Sequence, residues 1–168
     1  MRGLLVGALL AVVMPASGAL ADAVVYTPAR GTLCQDRSKP EFGYWICPGP
    51  GGYVASFSDE GNLSAVSIAR GKARKPATTS EFLGAGRVFG DKVEWHLVDG
   101  KPKSAVLRVW RREQMKDGSE RELQELQVYA VNSDRACPYA AVNVTETQAN
   151  EKAAARAEEA SRWECPER

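Results

Sequence analysis

Apolar and polar residues alternate along much of the chain, and the alternation is clearest in residues 93–98, 105–112 and 122–131. A period of two places successive side chains on opposite faces, so each run reads as a half-buried strand. Asp99-Gly100-Lys101-Pro102 and Asp117-Gly118-Ser119 supply turn chemistry between the runs, and a three-strand meander is the simplest connection. Pairing Val98 with Ser104 would set Val93, Trp95 and Leu97 against Val109, Leu107 and Ala105 on one face. The same register would set Glu94 opposite Arg108 on the other face, a favourable cross-strand charge pair.

Residues 53–58 and 63–69 alternate likewise around Asp59-Glu60-Gly61-Asn62, a hairpin signal. Residues 23–27 and the aromatic run 42–47 read as further strands. Pro48-Gly49-Pro50-Gly51-Gly52 forces a turn, since proline fixes φ and glycine admits positive φ. Residues 81–90 carry Gly84, Gly86 and Gly90, so a strand there is expected to be bulged. The polar stretch 70–80 lacks periodicity and reads as an exposed loop.

The C-terminal segment changes period. Residues 146–162 are rich in alanine and hold no glycine or proline, so they are expected to form a helix. Thr145-x-x-Gln148 matches a capping box. Ala149, Ala153, Ala157 and Ala160 share one helical face. Trp163 is expected to wedge the helix end against the sheet. The predicted fold class is α+β: an antiparallel sheet of about six or seven strands, ending in the meander, with one C-terminal α-helix and disulfide staples.

The first 21 residues stand apart. Arg2, an apolar stretch over 3–13 and Ala19-Leu20-Ala21 match a cleaved signal peptide. Its removal from the 168 residues leaves 147, as one exported domain over 22–168. It also removes Arg2 and no acid, leaving 21 basic and 21 acidic residues. A neutral chain lacks the global field that nucleic acid or an anionic membrane would require. The expected location is periplasmic or secreted, with no stable membrane insertion after cleavage. In that setting an even number of cysteines reads as disulfides. Four cysteines permit three pairings; the local ones, Cys34–Cys47 and Cys137–Cys165, are expected. Without a C-x-x-C, and with His96 as the single histidine, zinc is a weak alternative.

With the cysteines consumed, no G-x-S-x-G present and one imidazole in the chain, nucleophilic catalysis lacks its parts. Asp59-Glu60 and Glu158-Glu159 are adjacent acids of turn and helix-surface type. Gly84-x-Gly86-x-x-x-Gly90 misses the dinucleotide fingerprint by one residue. No cofactor or metal is expected. Arg70, Lys72, Arg74 and Lys75 form a basic loop suited to an acidic surface or envelope polymer. Asn143-Val144-Thr145 matches a glycosylation sequon and is read as a capping segment.

A second constellation alternates with the apolar face. Glu94 and His96 lie on one strand; Arg108, Trp110 and Arg112 lie on the next; Tyr129 or its neighbour lies on the third. Trp and Arg are enriched where binding energy concentrates. These residues form the candidate binding face, which the C-terminal helix or a loop would otherwise cover.

Three segments together, Trp45-x-Cys47-Pro48-Gly49-x-Gly51-Gly52-Tyr53, Phe89-Gly90-x-Lys92-Val93-Glu94-Trp95 and Cys137…Trp163-x-Cys165, resemble a group of small exported alphaproteobacterial proteins. The resemblance implies a bacterial source and a periplasmic location. Its motifs are structural, so it implies no activity and no site residue. A fainter similarity to small periplasmic lysozyme inhibitors rests on size, disulfides and β content alone. The functional expectation is a non-catalytic binding module with a protein or envelope polymer as partner; the alternative is a small envelope-polymer hydrolase using His96 or a carboxylate pair.

Overall fold

A computed structural model describes residues 22–71, 79–84 and 86–166. The leader 1–21 and the loop cations Lys72, Arg74 and Lys75 lie outside the described residues. Ten strands form two antiparallel sheets of five. The first sheet takes β1 (Ala23–Pro28), β7 (Phe89–Val98), β8 (Lys101–Gln114), β9 (Glu120–Val131) and β10 (Ala136–Asn143), in that spatial order. The second runs β2 (Gln35–Asp36), β3 (Gly43–Pro48), β4 (Tyr53–Asp59), β5 (Leu63–Arg70) and β6 (Ser80–Leu83). Helix α1 spans Ala149–Ala160. The expectation of one sheet with six or seven strands is therefore corrected to two packed sheets. The hairpin of residues 53–69 and the 93–131 meander belong to different layers.

The sheets face each other across an aromatic core. Trp45 and Phe57 stack at 5.5 Å, and Phe89 packs on Phe57 at 5.0 Å. Trp95 is fully buried beside Tyr53, and its indole N–H donates to Thr27 Oγ1 at 2.8 Å. Val93, Leu107, Val109, Val66 and Ile68 fill the rest of this layer. Tyr53 also ties the layers together, its hydroxyl donating to the Asn132 carbonyl.

Gly49 permits the turn between β3 and β4 to lie against Trp95. A Cβ there would sit 2.8 Å from Trp95 Cζ2 and 3.1 Å from the Tyr53 carbonyl oxygen. Gly49→Ala is expected to destabilise by about 1–3 kcal/mol through overpacking. A denaturant midpoint equal to wild type would count against this close approach.

Both expected disulfides form. Cys34–Cys47 ties the loop after β1 to β3, and Cys137–Cys165 ties β10 to the segment beyond α1. The alanine stripe docks as expected: Ala153, Ala157 and Ala160 are buried against Val106, Leu126, Val128, Ala130 and Val142 on the outer face of the first sheet. The helix begins at Ala149, later than its composition predicts. The capping box does not form, because the Thr145 hydroxyl donates to Asn143 Oδ1 and Gln148 takes a left-handed conformation without a side-chain cap. Trp163 packs edge-on against Tyr139 and stays 38% exposed, so it braces the helix end without being buried.

Candidate functional site

The binding face begins with the turn between β7 and β8. Asp99 and Gly100 both take positive φ, giving a two-residue turn that sets Val98 opposite Lys101. That turn is tighter than the four-residue connection read from the sequence. An irregularity between His96 and Leu97 then sets His96 opposite Ser104 and Glu94 opposite Val106. The expected Glu94–Arg108 pairing is thereby corrected. The register moves by two residues at Glu94, which preserves the faces: Val93 and Trp95 still point inward with Ala105, Leu107 and Val109. Tyr129 is fully buried on the inner face, and its neighbours Val128 and Ala130 meet the helix.

The stretch 81–90 is not one bulged strand, as expected, but holds the end of β6 and the start of β7, which lie in different sheets. Between Phe89 and Val93 the pairing with β8 shifts. Gly90 passes so close to β8 that a Cβ would stand 3.2 Å from Arg108 Cβ. Asp91 and Lys92 lie on the outer face beside Arg108 and Trp110, and Lys92 keeps its regular alternation with Glu94 against β1. Helix α1 covers only the far half of that face. The uncovered half is a groove of about 660 Å³, lined among others by Tyr26, Lys92, Glu94, Arg108, Trp110 and Asn150. A volume of this size is typical of a small-ligand site.

Three of the five predicted binding residues, Glu94, Arg108 and Trp110, meet in the groove. His96 supports it from one side, its Nε2 lying 2.8 Å from Glu94 Oε1, while also lining a separate shallow depression near Glu158. Arg112 does not join them; it reaches Glu120 at 3.3 Å on the exposed strand surface. Stacking of Arg108 and Arg112 over Trp110 is not observed. Arg87 occupies that position, 5.3 Å from the ring centroid, and Lys92 lies 3.9 Å over the Tyr26 ring. Arg87 also pairs with Asp91 at 2.7 Å. Among the described residues Arg108 has no ion-pair or hydrogen-bond partner.

The hydrogen bond with His96 is foremost in holding the Glu94 carboxyl below the ordinary glutamate range; burial opposes it, and Tyr26 and Lys92 reinforce it. The same contact with Glu94 pushes the Tyr26 phenol up. A carboxyl whose folded pKa lies below its unfolded value stabilises the fold above the unfolded value, and that contribution is lost as pH falls through the folded one. Stability is thus expected to drop below pH 4.5, the ordinary value, and Glu94→Gln is expected to flatten that part of the curve. Identical acid unfolding profiles for the two proteins would refute the coupling.

Ser104 faces His96 across the strands, which brings serine, histidine and glutamate to one place on the sheet. The serine is fully buried, and its hydroxyl makes no hydrogen bond to the imidazole. A nucleophile needs both access and a bonded base, so this trio lacks the geometry of acyl transfer. Among the described residues no three His, Cys, Asp or Glu side chains gather as metal ligands.

Sequence reasoning missed Tyr26, Arg87, Asp91, Lys92 and Asn150. Tyr26 enters because β1 pairs with β7, placing it opposite Glu94. Lys92 shares the parity of Glu94 and could have been read from it; the glycine-rich stretch 84–90 was the available signal for Arg87 and Asp91, and Asn150 enters from the first turn of α1. A second missed feature is structural. Glu125 is buried on β9 and accepts from Arg111 Nε and Nη2, each at 2.9 Å, with Gln127 donating at 2.8 Å. A bidentate pair with a further donor satisfies its own charges, leaving nothing to bind a ligand.

No family model, curated protein or solved structure matches this chain. The role of the groove has to come from its own chemistry. Among the described residues no helix is long and apolar enough to cross a membrane.

Proposed function

We propose that the protein is an exported, non-catalytic binding module whose groove holds a segment of an envelope glycan. The observation that carries this reading is the meeting of Tyr26 and Trp110 with Glu94, Lys92, Arg108 and Asn150 in one open groove. Flat rings offer a surface to sugar rings. Carboxylate, amide, ammonium and guanidinium groups offer acceptors and donors to hydroxyls. The cations resting on the two rings hold them by about 0.5–1 kcal/mol at exposed positions, little enough for a ligand to displace. Arg108, without an acid of its own, suits a carboxylate or phosphate substituent on the chain. The signal-like leader and two disulfides support the envelope as the setting. The similarity to small exported alphaproteobacterial proteins points the same way.

Binding of soluble, peptide-free glycan strands from peptidoglycan tests the reading. Wild type is expected to bind, and Trp110→Ala to bind at least about tenfold more weakly with its circular dichroism unchanged. Equal retention by both proteins would remove the groove from the interaction. The competing reading, a small hydrolase, is favoured only by the Glu94–His96 pair. Turnover of the same strands by wild type, abolished in His96→Ala, would decide for it.

A further inference from the structure

A smaller cavity of about 180 Å³ lies between the two sheets and adjoins the groove, sharing Arg87 and Gly90 with it. Ser64 stands behind its wall: the residue is fully buried, so its hydroxyl, which has no hydrogen-bond partner among the described residues, is not presented to the space. Arg30 and Arg87 stand at the mouth, both reaching Asp91, and Asp59 provides an acceptor. Trp45 and Phe89 form the inner wall, and both pack on fully buried Phe57, which closes the way through. The cavity is a fraction of a whole-ligand site and is sized for one ring or one substituent. Its lining holds two guanidinium groups and one carboxylate, Asp59, and both arginines are already paired with Asp91 of the groove, which suits a neutral group carrying hydroxyls.

We infer that this cavity is the terminal subsite of the groove, so the protein takes hold of a chain end and not the middle of a chain. The inference rests on the glycan reading above. A chain lying across Trp110 and continuing past Arg87 runs into the closed wall of Trp45 and Phe89. Its last residue then meets Arg30 and Asp59, polar side chains of the cavity that are not fully buried.

Peptide-free peptidoglycan strands, cut to two mean lengths and compared at equal mass, separate the possibilities. Binding capacity is expected to rise in proportion to the number of chain ends, doubling when the mean length is halved. Arg30→Ala, at an exposed position, is expected to keep the melting temperature yet to weaken binding of the short strands about tenfold. Asp59→Asn, which removes the carboxylate charge and keeps the oxygen that accepts from the Gly61 N–H, serves as the second variant and is expected to weaken them as well. Capacity that follows mass and not ends, or wild-type affinity in both variants, overturns the terminal subsite while leaving the groove intact. Failure of wild type to bind either preparation overturns the glycan reading and this inference together.

Discussion

Trp95→Ala is expected to lower the unfolding free energy by about 3–5 kcal/mol, the largest effect of any single substitution considered. Trp95 is fully buried at the centre of the sandwich. It touches Tyr53 across the sheets, carries the turn at Gly49 against its ring and bonds Thr27 through its indole nitrogen. Truncation to alanine removes all three contacts and leaves a cavity walled by two sheets, which cannot close without moving both. For a domain of this length the loss corresponds to a fall of roughly 10–15 °C in Tm. Trp95→Phe keeps most of the ring and gives up only the bond to Thr27, so a smaller loss of about 1–2 kcal/mol is expected. Thermal and denaturant unfolding of the two variants measures the difference. A loss under about 1.5 kcal/mol in the alanine variant would mean that the sheets do not meet at this residue.

Removing the Cys137–Cys165 bond is expected to rank second. The bond spans 28 residues, and loop-closure entropy assigns such a crosslink about 3.5 kcal/mol, against about 3 for the 13-residue span of Cys34–Cys47. The local consequence separates the two more clearly than the energy does. Helix α1 docks through alanines, which bury little area each, and its far end is held by the bond and by the contact of Trp163 with Tyr139. The double variant Cys137→Ser/Cys165→Ser should therefore show faster hydrogen exchange in α1 and β10. Cys34→Ser/Cys47→Ser should show it around β2 and β3. Uniform acceleration across the chain in either variant would contradict this local assignment.

Face and turn were the legible parts of the sequence. The inward set Val93, Trp95, Leu107 and Val109 follows from alternation alone, as does the hairpin around Gly61. Both bridges join the locally spaced cysteines favoured among the three possible pairings, a choice the sequence itself does not force. The division into two sheets does not follow from the pattern, because alternation says which side a residue faces and nothing about which strand lies beside it. Pairing of β1 with β7, across the whole second sheet in sequence, left no local trace. The register of β7 and β8 was misread because Asp99 adopts positive φ, a conformation aspartate tolerates but does not announce. The helix start was misread because Asn143 captured Thr145 first. The groove was half legible. Glu94, Arg108 and Trp110 came from strand parity, and Lys92 shares that parity, whereas Asp91 and Arg87 depend on the irregularity at Gly90, whose direction sequence cannot give.

The place of β1 also orders events in time. Its partner strand begins only after all five strands of the other sheet have been laid down, and the Thr27–Trp95 bond spans 68 positions. Ring closure over such a distance is slow relative to the hairpins formed in between. Tyr26 therefore reaches Glu94 late, after the opposite sheet has had time to assemble. A chain caught short of that step would carry most of its architecture and an incomplete groove, and Tyr26 is the side chain that its groove would lack.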